Sequence, residues 1–222
     1  MSLTPDFVAA PFRWGAALRQ RRLFHPDGVL AHGVLERVAP AGAGLPVASS
    51  EVVARFSKAL GTPGALPDAV GLALRVATGG VAAWDILLVS AGSGVLSRAI
   101  GLHPITAWSG TTMSTLMPLH YDGQIWWLRA RIVTGIDAAG VSLSAIAEQI
   151  TAGGIRVELD QARGTAAFDR LAEVTLTGLA RSDDVSFDPV LNTAPGVELR
   201  PGWLAGLRVR AYRGSRSGRA GD

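Results

Sequence analysis

Apolar and polar positions along the chain fall into short runs with the period of two expected of half-buried strands. Gly28 to Val38 reads as a strand, with Val29, Leu30, Val34, Leu35 and Val38 disposed around Gly33. Val70 to Thr78 alternates, placing Leu72, Leu74 and Val76 on one side. Trp84 to Ser90 is a continuous apolar run suited to a buried strand. Ile125 to Thr134, Val141 to Ile150 and Leu171 to Leu179 read as further strands, and Ile155 to Leu159 as a shorter one. Gly, Asp and Ala turns separate them, Gly135 to Gly140 among them, in the manner of a meander. Ser50 to Ser57 combines β-branched residues with a Ser-Ser start that also suits a helix cap, so strand and helix both stay open there. Pro40 to Pro46 and Gly61 to Asp68 are loops rich in turn residues. Ser93 to Thr115 is poorly periodic and predicts helical turns and loops. Helices are expected at Phe7 to Arg22 and, more strongly, at Trp203 to Arg219. No internal repeat is present. The fold class predicted is α+β, mainly β: an antiparallel barrel or strongly curved sheet with added helices, one of them C-terminal.

The length of 222 residues, 48% of them hydrophobic, predicts one domain over 1–222 with a substantial core. No stretch of about 18 apolar residues escapes a charge or a turn residue, so no membrane-spanning helix is expected. Arg13 and Arg19 interrupt the first twenty residues, which lack the apolar centre of a signal peptide, and the cytoplasm is the expected location. The absence of cysteine excludes disulfides, thiolate metal sites and cysteine nucleophiles. Any metal would be held by His, Tyr or carboxylate. The net charge is +3, and Lys58 is the single lysine among 21 basic residues. The arginines are mostly scattered and interleaved with acids, which argues against nucleic acid as a partner.

Two windows carry candidate chemistry. In the first, His25 stands directly before Pro26-Asp27-Gly28, at a turn leading into a strand. An imidazole there can face a cavity at the edge of the core; a surface turn histidine is the plainer reading of the window alone. In the second, Arg208, Tyr212, Arg216 and Arg219 share one face if the segment is helical. A guanidinium one turn from a phenol favours the phenolate, a hard anionic ligand suited to ferric iron. Arg219 lies on the order of 10 Å further along such a helix, within reach of a second anionic group on the same ligand. A frayed basic tail is the competing reading, because Gly214 and Gly218 each cost roughly 1 kcal/mol inside a helix.

Taken together and in order, these windows and four others resemble the catalase family. The matching residues are Arg22-Leu23-Phe24-His25 with Ala31-His32-Gly33, Arg55-Phe56-Ser57, Asp68 to Arg75, Trp84-Asp85, Phe187-Asp188-Pro189, and Arg208, Tyr212 and Arg219. They are spread over roughly residues 20 to 219, so the chain is similar to a small, minimal catalase: the barrel without the extra arms and helical domain. The resemblance implies a catalase-like barrel, b-type haem, and a C-terminal helix carrying the proximal tyrosine. It implies His25 as distal acid–base group, Tyr212 as iron ligand held as phenolate by Arg208, and Arg22, Arg55 and Arg219 on the haem propionates. Asp85 is expected to be structural.

The sequence also departs from that pattern. The family's distal asparagine, shortly after Trp-Asp, has no counterpart in Ile86 to Ser93; Ser90 or Ser93 is the available substitute, and Ser90 is taken as the candidate. Loss of that donor, together with Phe24 beside His25, shifts the expected activity from fast dismutation of hydrogen peroxide toward a haem peroxidase or weak catalase. Its substrates would be hydrogen peroxide or organic hydroperoxides, with a small-molecule electron donor; a homo-oligomer is left open. The rival is a non-enzymatic barrel that binds haem or an apolar ligand. A hydrolase lacks a Gly-x-Ser-x-Gly elbow, a zinc motif or a His-Asp pair to carry it.

Overall fold

The structure is a computed structural model that describes residues 28–78, 83–90, 102–180 and 185–200. The two expected terminal helices, and with them Arg22, His25, Arg208, Tyr212 and Arg219, lie outside the described residues. The described elements are β1 (Gly28–Arg37), β2 (Ser50–Lys58), β3 (Val70–Ala77), β4 (Ala83–Val89), β5 (Thr112–Ser114), β6 (Leu119–Tyr121), β7 (Gln124–Ile132), α1 (Leu143–Gly153), β8 (Ile155–Arg163), β9 (Asp169–Leu179) and β10 (Glu198–Leu199). Every strand pairing is antiparallel. The order β7–β5–β4–β3–β2–β1–β9–β8 returns to β7 through the β7–β8 pairing and closes a barrel of eight strands. β6 and β10 extend the sheet beyond that ring. The fold is thus mainly β, as the alternating pattern predicts.

Register explains the core. Ala54 pairs with Ala31 and Leu74, and Leu74 pairs with Ile86. Phe56, Leu72 and Leu88 form a second row. Because side chains alternate along a strand, each of these rows points to the same face, and together they fill the barrel interior. Met113, Leu128, Ala130, Ile132, Val157, Leu159, Val174 and Leu176 complete it from the opposite wall. Phe56 meets Trp108 edge-on, with ring centroids 5.9 Å apart and an interplanar angle of 84°. That pair places the loop after the 91–101 segment against the interior.

The ends of the barrel are closed by different means. At one end the loop after β1 folds across the opening. Arg37 donates to the carbonyls of Ala39, Pro40, Ala43, Leu45 and Val47 at 2.6–3.1 Å. Gln161, a polar residue in the buried face of β8, accepts from Leu45 N–H at 2.8 Å and donates to Ala43 O at 3.3 Å. Toward the other end α1 packs against β9 and β1 and buries Ala145, Ile146 and Ile150.

Two expectations change. Val141 to Ile150 is helical from Leu143 rather than a strand. The Val-Ser-Leu-Ser start mimics alternation, yet Ser142 caps the helix by accepting from Ser144 N–H, and Ile146 and Ile150 fall one turn apart on the buried side. In Ser93 to Thr115, the described part contains β5 and isolated bridges at Ile105 and Ala107 instead of helical turns. Ser50 to Lys58, left open between strand and helix, is a strand flanked on both sides.

Candidate functional site

Alternation gives every barrel strand an outer side, and the two halves of that outer wall differ. On β7, β8 and β9 it is ionic. Arg129 pairs with Asp160 at 2.7 Å, Arg131 pairs with Glu158, and Arg170 reaches Glu158, Asp160 and Glu173 at 2.7, 2.9 and 3.1 Å. Arg129 also lies over the Phe168 ring at 4.3 Å. Burial alone would raise the Glu158 carboxyl, but hydrogen bonds from Arg131 and Arg170 outweigh it and hold the group below its ordinary value.

Near one end of β2, β3, β4 and β5 the outer wall carries a patch of small, buried residues, and further along the same side Arg75 pairs with Asp85. Ser57 pairs with Gly71, Gly71 with Val89, and Val89 with Ser114. Ala73 and Leu87 form the next row beside Arg55. Ser57, Gly71, Ala73, Val89 and Ser114 are all buried although they face away from the barrel interior. Three strand spacings, about 14 Å along the wall, separate Ser57 from Ser114. The Ser114 hydroxyl is fully buried and has no hydrogen-bond partner, a state that costs roughly 1–3 kcal/mol. These residues are buried within the protein itself, so the wall is covered, and the Ser114 hydroxyl is shielded from water without a partner.

Arg55 stands at the rim of the wall. Its side chain crosses Gly28, where a Cβ would lie 2.8 Å from the Phe56 carbonyl oxygen, a backbone contact that favours glycine at the strand start. Gly28 is also the cross-strand partner of Ser57. Arg55 and Ser57 are two apart in β2 and share its outer side; that relation is legible in the sequence once Ser50 to Lys58 is known to be a strand.

Ser90 occupies a different position. Its hydroxyl accepts from Val70 N–H at 3.0 Å and donates to His103 O at 2.7 Å. Its single proton is therefore committed, and the residue ties β4 to β3 and to the 102–107 segment.

Asp85 joins three of the quoted motifs. Its carboxylate takes a two-pronged pair from Arg75, both contacts 2.7 Å, and accepts from Asp188 N–H at 2.8 Å and Asn192 Nδ2 at 2.7 Å. Arg75 continues to Ser186 O at 2.7 Å and lies over Phe187. The hydrogen bond to Asp85, reinforced by its charge, raises the Arg75 pKa against the opposing effect of burial. Asp188 in turn accepts from Val190 and Leu191 N–H, fixing the turn that follows. The chain leading to residue 200 is thereby pinned against the start of β4.

Beside this hub, between β4 and the Thr115 to Leu119 segment, lies a recess of about 30 Å³ lined by Trp84, Leu87, Met117, Pro189 and Leu199. It admits water-sized guests. His32 lies on the outer side of β1 with its ring over Gly178, and His120 is in β6. Among the described residues no group of three His, Asp or Glu is placed to hold a metal ion, and no helix is long and apolar enough to cross a membrane.

No protein-family model matches the chain, and no curated protein matches it.

Proposed function

We propose that this protein is a catalase-like haem protein acting as a peroxidase or weak catalase on hydrogen peroxide or organic hydroperoxides. The reading rests on the resemblance of the six collinear motifs, and the described residues add a patch of small side chains beside Arg55. A flat, largely apolar ring with carboxylate edges suits such a patch: Gly71, Ala73 and Val89 present little but backbone and methyl groups, and Arg55 supplies a cation at the border.

In this reading Arg22, Arg55 and Arg219 hold the propionates through charge-assisted bonds. Tyr212 ligates the iron, and Arg208 keeps its oxygen as phenolate. When bound, haem supplies the redox-active iron at which the peroxide O–O bond is cleaved. His25 takes the proton from the peroxide oxygen that approaches and returns it to the oxygen that leaves, a role suited to a pKa near neutrality. A small-molecule donor restores the electrons.

A haem-binding protein without turnover is the second reading. The committed Ser90 hydroxyl favours it, because that side chain's proton is already used on His103 O.

Hemin titration of the wild type, Tyr212→Phe and His25→Ala tests both. The expected result is a saturable Soret band with high-spin ferric tyrosinate features, lost or shifted in Tyr212→Phe. Peroxide turnover should fall by about 100-fold or more in His25→Ala while haem stays bound. A wild-type spectrum identical to free hemin overturns the haem reading. Bound haem with no peroxide turnover above that of free hemin leaves the binding protein.

A further inference from the structure

Met117 lines the recess between β4 and the Thr115 to Leu119 segment. It is 3% exposed, whereas Met113 is fully enclosed in the barrel core. Met117 stands outside that core cluster. It shares the recess with Leu87, Leu116, Pro189 and Leu199, where the chain leading to residue 200 meets β4.

The seam at this point is thin, because β4 and β5 join through the single pair Val89–Ser114. Along a strand the backbone groups alternate between the two neighbours. Ser90 N–H turns to Val70 O on the β3 side at 2.8 Å, and Asp85 N–H turns the other way, to Asn192 O at 2.9 Å. Leu87 is in phase with Asp85 and Val89, so its N–H and C=O turn away from β3 and toward the recess it lines. Neither group has a hydrogen-bond partner among the described residues. One recess thus holds a thioether and an uncommitted backbone donor.

Its volume of about 30 Å³ is room for about two waters, at roughly 10–15 Å³ each. Hydrogen peroxide, two oxygens in length, matches that space; a branched organic hydroperoxide does not. The chain has no cysteine, so no thiol competes for the oxidant. A thioether that meets peroxide is converted to the sulfoxide. The sulfur lone pair takes one peroxide oxygen: the S–O bond forms as the O–O bond breaks. Sulfur gives up an electron pair, the peroxide gains it, and the second oxygen leaves with both protons as water. The sulfoxide oxygen is a hydrogen-bond acceptor, and Leu87 N–H is the free donor in the same recess.

We propose that Met117 is a reversible modification site, oxidised to the sulfoxide by hydrogen peroxide entering this recess, with the new oxygen held by Leu87 N–H. The test uses the full chain without added hemin, so failure here and failure of the haem reading are distinguishable. Protein and N-acetylmethionine amide, as internal standard, are exposed together to dilute hydrogen peroxide and followed by tandem mass spectrometry. Met117 should gain one oxygen about tenfold or more faster than Met113. With tert-butyl hydroperoxide in place of hydrogen peroxide, the Met117 rate relative to the standard should fall by about tenfold or more. In nuclear magnetic resonance, the Leu87 amide should exchange faster than those of Ile86 and Leu88, then slow by about tenfold on oxidation. Methionine sulfoxide reductase should reverse that change. Three results would each overturn the proposal: Met113 oxidised as fast as Met117, the same relative rate with both peroxides, or a Leu87 amide unaffected by oxidation.

Discussion

At the scale of single residues, the best-determined groups are those whose hydrogen bonds are fully accounted for. Asp85 holds Arg75, the Asp188 N–H and the Asn192 amide at once, and it is buried. Asp85→Ala removes one partner of a buried pair and leaves two further donors unpaired. We expect a loss of about 3 kcal/mol, toward the lower end of the range for broken buried pairs because Arg75 is partly exposed. Urea unfolding of the variant beside wild type measures it, and a loss below about 1 kcal/mol would show that the hub is replaceable by water. Trp84-Asp85 and Phe187-Asp188-Pro189 are visible in the sequence as separate motifs, and a structural Asp85 is expected there. That they touch is not visible, because about a hundred residues lie between them and only barrel closure brings them together.

At the scale of elements, strand identity follows from alternation, but strand geometry depends on glycine. Register shifts between His32 and Gly33 where β1 meets β9. A Cβ at Gly33 would lie 1.9 Å from Thr175 O and 2.7 Å from Leu176 Cα. The irregularity and the close approach occur together at a junction that closes the barrel. Gly33→Ala is expected to cost about 2–3 kcal/mol through forced backbone displacement. A shift in the urea midpoint checks this; a midpoint within error of wild type would mean that β9 can yield. The sequence shows a glycine inside an apolar run, which marks either a bulge or a close contact without saying which. The reversal at α1 has a similar cause. Val141 to Ser144 has the alternation of a strand, and helix formation is decided by the Ser142 cap and by a hydrophobic seat against β9 and β1 that exists only once the barrel is closed.

At the scale of the whole molecule, the outer wall of the barrel carries an ionic network on β7, β8 and β9 and a patch of small buried residues on β2 to β5. The ionic network makes stability depend on pH. Glu158 is held below its ordinary value in the folded protein, so its contribution is fully present above the unfolded carboxyl value, about 4.3. That contribution is lost as pH falls through the lower folded value. Unfolding followed from neutral to acid pH should show wild type losing its advantage over Glu158→Gln within that acid window, and a gap independent of pH would refute the assignment. The amino-acid sequence alone determined the mainly β character, most strand positions and the apolar rows that fill the interior, because alternation is a local property of neighbouring residues. Only the tertiary structure decided which outer face is buried, which hydroxyls are committed and which is left unpaired. Ser90 and Ser114 look alike in one dimension; one is bound on both sides and the other has no partner, because cross-strand neighbours are chosen by barrel closure and not by the chain.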